Sequence, residues 1–194
     1  MRKTIWIIGG FVIGVTALCL TVAWIATRRP TTTAANPLPS CTGKGMVLQF
    51  SDRPVPLPGL TLADLDGRAL DPASWKGKVL LVNFWATWCG PCREEMPAMQ
   101  ALGRELADRG LVVLAVNYEE SPDRVRRFLR DAGLSLPVLL DAEGAVARQY
   151  RVTALPASFF VDRRGTLVGS VLGIRDWRGS AARRYVDELL RAPA

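Results

Sequence analysis

Val79-Leu80-Leu81-Val82-Asn83-Phe84-Trp85-Ala86-Thr87-Trp88-Cys89-Gly90-Pro91-Cys92-Arg93-Glu94-Glu95 decides how the chain is read. It opens as a continuous apolar, β-favouring run, which suits a central strand covered on both faces. It ends in a charged, helix-favouring run. Strand, tight turn and helix put the Cys-x-x-Cys at a helix N-terminus. Two thiols on one first turn can close a disulfide with little backbone movement. The helix dipole and the unpaired N–H groups there favour a thiolate. A free cysteine titrates near about 8.5, and helix-start Cys-x-x-Cys pairs at roughly 3.5–7.5. Cys89 is expected to be the exposed nucleophile and Cys92, inside the turn, the resolving thiol. Gly90-Pro91 stiffens the turn, and an early helical proline gives up no needed hydrogen bond.

Two other uses of such a pair fit the chain poorly. Zinc wants four ligands, usually Cys or His, and the sequence has no His and no second Cys-x-x-Cys. A purely structural disulfide closing so short a loop stabilises little.

Trp88-Cys89-Gly90-Pro91-Cys92 after an apolar strand resembles the thioredoxin superfamily. The longer run from Gly77 to Cys89 resembles its membrane-anchored TlpA/ResA-like branch of extracytoplasmic thiol–disulfide oxidoreductases. The likeness extends over roughly residues 57–192. It implies an α/β thioredoxin-like fold: a central mixed sheet of about five strands with helices on both faces, an N-terminal β-hairpin and a central βα insertion. It implies that Leu155-Pro156 is the cis-proline loop opposite the cysteines. A cis bond there would expose the Leu155 backbone to an incoming substrate strand and keep a backbone N–H away from the sulfurs. With Trp88, Gly90 and Pro91, these two residues form the expected substrate surface. The resemblance further implies reduction of disulfides in exported proteins such as apocytochrome c. A membrane thiol-electron transporter would recharge the pair, and no cofactor beyond the redox-active disulfide is expected.

Composition agrees with one domain plus an appendage. The net charge is +7, but without Arg2, Lys3, Arg28 and Arg29 the rest carries 21 basic against 18 acidic residues. No basic block points to nucleic acid. Residues 1–4 read as a cytoplasmic tail and 5–27 as an uncleaved transmembrane signal anchor. That run of 23 residues has no charge. As a helix it would span about 34 Å, enough for a bilayer core. Cleavage within Thr33-Ala34-Ala35 is the competing reading. Charge is nearly balanced across the run, so orientation rests on the short tail, the large C-terminal domain and the resemblance. Residues 28–56 read as a proline-rich extracytoplasmic linker, and 57–194 as the thioredoxin-like domain on the periplasmic side of a bacterial cytoplasmic membrane. Cys19 reads as an apolar filler. Cys41, in the linker, is open between mixed-disulfide partner, lipid site and incidental residue.

Further along, Asp66-Gly67 marks a hairpin turn within Gly59–Leu70, expected to cover a sheet edge. Asp71–Trp75 suggests a helical turn. A helix from about Pro91 to Asp108 buries Met96, Met99, Leu102 and Leu106, with Pro97 inside it to kink it. Gly110 ends it. A strand follows at Leu111–Val116. Ser121-Pro122-Asp123 opens a helix whose apolar face is Val125, Phe128, Leu129 and Ala132. The insertion is expected as a strand at Leu136–Leu140 and a helix at Ala142–Tyr150. A strand follows Pro156, Arg163-Arg164-Gly165 turns the chain, and Thr166–Leu172 is the last strand. Ala182, Tyr185, Val186, Leu189 and Leu190 mark the closing helix.

Thioredoxin keeps a buried acid on the central strand; here that place holds Asn83, which cannot titrate. Glu95, one helical turn beyond Cys92, is the expected proton carrier, in keeping with a glutamate at this offset in ResA-like proteins. Burial should raise its pKa. Glu94 reads as a solvated first-turn acid. Two rival functions stand beside disulfide exchange. A peroxiredoxin-like peroxide reductase needs Thr or Ser three residues before its reactive Cys, and this chain has Ala86. A thiolate copper carrier of the Sco kind uses Cys-x-x-x-Cys and a distal His, and neither is present.

Overall fold

The computed structural model describes residues 55–56, 62–70 and 72–193. The expected anchor at 5–27, most of the linker, Cys19 and Cys41 lie outside them. None of the described helices is long and apolar enough to cross a membrane.

The elements follow in order: β1 (Val55–Pro56), β2 (Ala63–Asp64), a 3₁₀ turn (Pro72–Trp75), β3 (Val79–Trp85), α1 (Gly90–Leu106), a 3₁₀ turn (Ala107–Arg109), β4 (Leu111–Tyr118), α2 (Pro122–Asp131), β5 (Val138–Asp141), α3 (Ala145–Gln149), β6 (Ala157–Val161), β7 (Thr166–Leu172) and α4 (Ser180–Arg191). They build one mixed sheet in the order β1-β7-β6-β3-β4-β5-β2. β3, β4 and β5 run parallel, and every other pairing is antiparallel. The expected five or so strands become seven because each edge gains a two-residue strand. β1 starts the sheet two residues before the expected domain boundary at 57, where Val55 and Pro56 pair with Leu167 and Thr166.

Every residue of β3 is buried, so the strand has no solvent face and its two sets of side chains enter two cores. Leu80, Val82 and Phe84 meet Val146, Ala147 and Tyr150 around α3, where Phe84, Tyr150 and Phe159 form a mutually tilted ring trio with centroids 5.0–5.6 Å apart. Trp85 meets Cys92 and Met96 of α1 and Val125 and Leu129 of α2 on the other face. α4 covers the same sheet through Phe160, whose ring is 4.8 Å from that of Tyr185. The four expected core residues of α1 and all five of α4 are buried. Pro97 lies inside α1, where it leaves the carbonyl one turn earlier without a backbone donor.

Several boundaries differ from expectation for local reasons. The insertion elements are shorter. Pro137 delays β5, and Gly144, at φ 66°, closes a turn before α3 starts. The buried Asp141 carboxylate then accepts the Val146 and Ala147 N–H groups at 3.2 and 2.7 Å, satisfying orphan donors of the helix start. Ala132 is exposed and Phe128 half-buried, so the apolar face of α2 centres on Val125 and Leu129. The hairpin at Asp66-Gly67 forms, with a longer loop than the dipeptide implied. The Asp64 N–H reaches the Arg68 carbonyl, and Gly67 sits at φ 78°. The turn at 163–165 repeats this build, with Asp162 and Gly165 in the corresponding places. In both, the leading Asp side chain accepts the N–H groups two and four residues on.

Gly169 of β7 lies under the buried Tyr185 ring, and a Cβ there would stand 2.7 Å from the phenol oxygen. Gly90 has nothing within 4 Å of the same construction. Gly169→Ala is therefore expected to destabilise the fold by about 1–3 kcal/mol, as overpacking does, whereas Gly90→Ala leaves it within about 0.5 kcal/mol. Urea denaturation measures both; equal midpoints would show that Tyr185 is not seated as described.

Candidate active site

α1 begins where β3 delivers the chain to the top of the sheet, and Cys89 is its N-cap. The sulfur takes the place usually held by a Ser or Asp oxygen and accepts the Cys92 N–H at 3.3 Å. Cys89 and Cys92 are joined by a disulfide, with Cα atoms 5.3 Å apart. The order of exposure is as expected, but the nucleophile is not an open one in this oxidised state: Cys89 is 5% exposed and Cys92 0%. Each sulfur is covered by its partner and by the apolar cluster of Trp85, Met96 and Val125. Pro91 lies exposed beside the pair, and Trp88, 60% exposed, stands out from it. Trp85 is a core residue, its ring 5.4 Å from Phe128.

Glu95 is buried at 3% exposure. Its Oε1 accepts Asn83 Nδ2 at 3.0 Å, and its Oε2 accepts the Arg175 backbone N–H at 2.9 Å and Trp177 Nε1 at 3.1 Å. Asn83 and Ser158 are cross-strand partners on β3 and β6, and the same Asn83 amide also donates to Ser158 Oγ at 2.9 Å. Asn83 is thus a ligand of the carboxyl that replaces its strand position's usual acid. Desolvation pushes the Glu95 pKa above the ordinary glutamate value. The three donors and the Arg175 charge pull against it without reversing it.

Leu155-Pro156 is a cis peptide bond, as the resemblance implied. The Pro156 carbonyl accepts the Gly173 N–H at 2.8 Å, and among the described residues the Leu155 N–H and carbonyl take no backbone hydrogen bond. A groove of about 170 Å³ beside the disulfide is lined by Trp88, Tyr118, Val152, Thr153, Ala154 and Leu155. Leu172 and Ile174, both exposed, follow on where β7 ends. The surface around the cysteines therefore offers apolar side chains and a free strip of backbone, which suits an extended peptide. Among the described residues no group of three or more Cys, Asp or Glu comes together as a metal site.

Sequence reasoning missed a second buried carboxylate. Glu120 accepts the Thr87 N–H at 2.6 Å, the Thr87 hydroxyl at 2.5 Å and Asn117 Nδ2 at 2.8 Å, and pairs with Arg124 Nε at 2.8 Å. Arg124 Nε also reaches Thr87 Oγ1 at 3.0 Å. Glu119, just before it, has φ 54°, a left-handed turn that a non-glycine residue seldom takes. The result is a clamp on the loop between β3 and Cys89. A signal existed: Asn117-Tyr118-Glu119-Glu120 is a polar run at the C-terminal end of a parallel strand beside β3, where α/β sites gather.

Two outcomes follow from these carboxyls. A raised pKa means that the fold favours neutral Glu95. Its contribution to stability is thus full below the ordinary glutamate range and is lost as pH climbs through the raised value. Glu95→Gln, which keeps the shape, should gain thermal stability over wild type between about pH 4 and about pH 8; a gap that stays constant or narrows would contradict the assignment. Glu120→Ala should cost about 2–4 kcal/mol in urea denaturation, because it leaves the buried Thr87 N–H and the Asn117 amide without their acceptor. Arg124→Ala, which leaves the Glu120 carboxylate its three uncharged donors, should cost less than Glu120→Ala.

The AhpC/TSA family model matches residues 55–170. Thiol-disulfide oxidoreductase ResA of Bacillus thuringiensis is 34% identical over 134 residues, 69% of this chain and 74% of that protein. Thioredoxin-like protein YneN of Bacillus subtilis is 42% identical over 113 residues, 57% of this chain and 65% of YneN. A thiol:disulfide interchange protein of the thioredoxin family from Chlorobium tepidum superposes with a TM-score of 0.63 at 31% identity, covering 72% of this chain and 99% of that structure. The exposed lipoprotein thioredoxin Etrx1 of Streptococcus pneumoniae superposes at 0.57 with 30% identity, covering 66% and 96%. With the disulfide at the head of α1 and the fold around it, these likenesses make the chain a member of the AhpC/TSA family and, within it, a ResA-like thiol–disulfide oxidoreductase.

Proposed function

We propose that this enzyme is a membrane-anchored reductant of disulfides in exported proteins, working on the extracytoplasmic face of a bacterial cytoplasmic membrane. The observation that carries the reading is the Cys89 sulfur at the head of α1, accepting the Cys92 N–H, beside an apolar groove and above a buried carboxyl. Placement outside the cell draws support from the uncharged run at 5–27 and from the exposed lipoprotein of similar fold.

In the reduced protein, Cys89 is held as a thiolate because the helix start stabilises the anion. It attacks one sulfur of the substrate disulfide, forming a mixed disulfide and releasing the first substrate thiolate. Ionised Glu95 takes the Cys92 proton. The Cys92 thiolate then attacks Cys89 Sγ, releases the second substrate thiolate and closes the Cys89–Cys92 bond. The substrate gains two electrons and the enzyme loses two. Trp88, Gly90, Pro91, Leu155 and Pro156 form the surface on which the substrate lies, its backbone pairing with that of Leu155. Apocytochrome c suits the family likeness as substrate, and a membrane thiol-electron transporter suits it as the source of new electrons. The Gly-Pro dipeptide resembles that of thioredoxin, a reductant near about −270 mV, which favours the reducing direction.

The family match also touches peroxide chemistry. Ala86, three residues before Cys89, is buried and has no hydroxyl to hold a peroxide, so that reading draws no support from the site.

Dithiothreitol-driven reduction of insulin should accelerate with the enzyme and fall to background with Cys89→Ser. Cys92→Ser should accumulate mixed disulfides through Cys89, separable on non-reducing gels. Peroxide consumption without insulin reduction, or tight copper binding without it, would overturn the proposal.

A further inference from the structure

Among the described residues the hydrogen-bond partners of Glu95 are all donors: Asn83 Nδ2, the Arg175 N–H and Trp177 Nε1. They differ in what they can do when the carboxyl gains a proton. Asn83 can turn its amide, and its Oδ1 has no partner, so it can accept from a protonated Oε1. The Arg175 N–H belongs to the main chain. Trp177 can only donate, and its ring is confined: it is 1% exposed and packs, tilted by 55°, with its centroid 6.2 Å from that of Phe160. It is therefore the side chain that gives this pocket a fixed polarity at Oε2.

The segment carrying these donors, residues 173–179, joins β7 to α4 and is bound at several points. Gly173 donates to the cis-proline carbonyl at 2.8 Å. The Arg175 guanidinium turns back to the Leu172 and Ile174 carbonyls at 3.0 and 2.7 Å. The segment thus links the exposed apolar pair Leu172 and Ile174 to Glu95. Of the groups around the carboxyl, Asn83 on β3 and Ser158 on β6 are neutral, Arg175 on the segment is charged, and Cys92 on α1 titrates once reduced.

We propose that Trp177 is a positioning residue of this enzyme: its indole N–H pins Glu95 Oε2, so that the carboxyl stays a base for Cys92 despite its burial, and ties the 173–179 segment to that charge. The proposal rests on the reading of Glu95 as proton carrier. Every charge-assisted bond to the carboxylate favours the ionised form against desolvation. Loss of the indole donor therefore drives the carboxyl toward its neutral, useless state. The segment loses its side-chain tie to Glu95 at the same time.

The test uses the full chain in detergent, reduced, with ¹³C-labelled glutamate carboxyls and ¹⁵N-labelled indoles. In wild type the Trp177 indole N–H resonance should move with pH at the same midpoint as the Glu95 carboxyl carbon, and Glu95→Gln should abolish that movement. In Trp177→Phe, which keeps a ring against Phe160, the Glu95 midpoint should rise. The pH profile of mixed-disulfide resolution should move with it, leaving the rate several-fold lower on the acid side and recovered at higher pH. An indole resonance indifferent to the Glu95 titration overturns the proposal, and that measurement stands even where the variant does not fold. A stability loss in Trp177→Phe with an unmoved Glu95 midpoint overturns it too, marking Trp177 as core alone. If the midpoint rises but Glu95→Gln resolves mixed disulfides like wild type, the pinning holds and the proton-carrier reading falls.

Discussion

A helix cannot satisfy its own first N–H groups, and at the head of α1 the group that answers one of them is the Cys89 sulfur. The rest of the molecule can be understood as what keeps that sulfur there. β3 is buried along its whole length, so it cannot slip without moving a core on each face. Its end fixes where α1 starts. Between β3 and Cys89 only Ala86, Thr87 and Trp88 intervene, and Thr87 is held by both its backbone and its hydroxyl. The chain thereby delivers a sulfur to the positive end of a helix, where an anion is favoured by roughly 0.3–1 kcal/mol or more in a partly buried setting.

The two buried carboxyls flanking this point are managed in opposite ways. Glu120 has a cation: Arg124 pairs with it from the surface while Thr87 and Asn117 fill its remaining lone pairs. Its four contacts tie the loop before Cys89 to the end of β4. Glu95 has dipoles instead. Its direct ligands are two neutral side chains and a backbone N–H, and burial outweighs them, so its pKa rises. That difference suits Glu120 to holding a loop and Glu95 to exchanging a proton.

Periodicity and motif together made most of this legible. Continuous apolarity in β3, the buried residues of α1 and α4 and the closing strand from Thr166 to Leu172 follow from side-chain patterns that survive in any context. Glu95 was accessible through its offset from Cys92. The clamp was not, because nothing local says that Glu120 turns back on Thr87, 33 residues away in sequence; that depends on the left-handed Glu119 and on β4 pairing with β3. Trp177 was hidden for the same reason: its partner lies 82 residues earlier. Of the edge strands, β2 lies in the hairpin expected at a sheet edge, whereas β1 escaped because two residues carry no period. The insertion boundaries shifted because Pro137, Asp141 and Gly144 overrode an otherwise plausible helical run.

A shared fold leaves the chemistry open, since function resides in the side chains set upon it. Here the choice turns on small groups. Where a peroxide would need a hydroxyl three residues before the reactive sulfur, the methyl of Ala86 is buried instead. Where a Sco-like carrier would use a distal His, the chain has none. What the site has in their stead is a second thiol within bonding reach and a backbone strip at Leu155 open to another chain. The second thiol alone does not separate these chemistries, since it could also resolve a sulfenate or hold a soft metal beside the first. The strip of backbone at Leu155 does, because neither a peroxide nor a metal ion calls for a strand partner. Exchange with protein disulfides is the chemistry that uses both features.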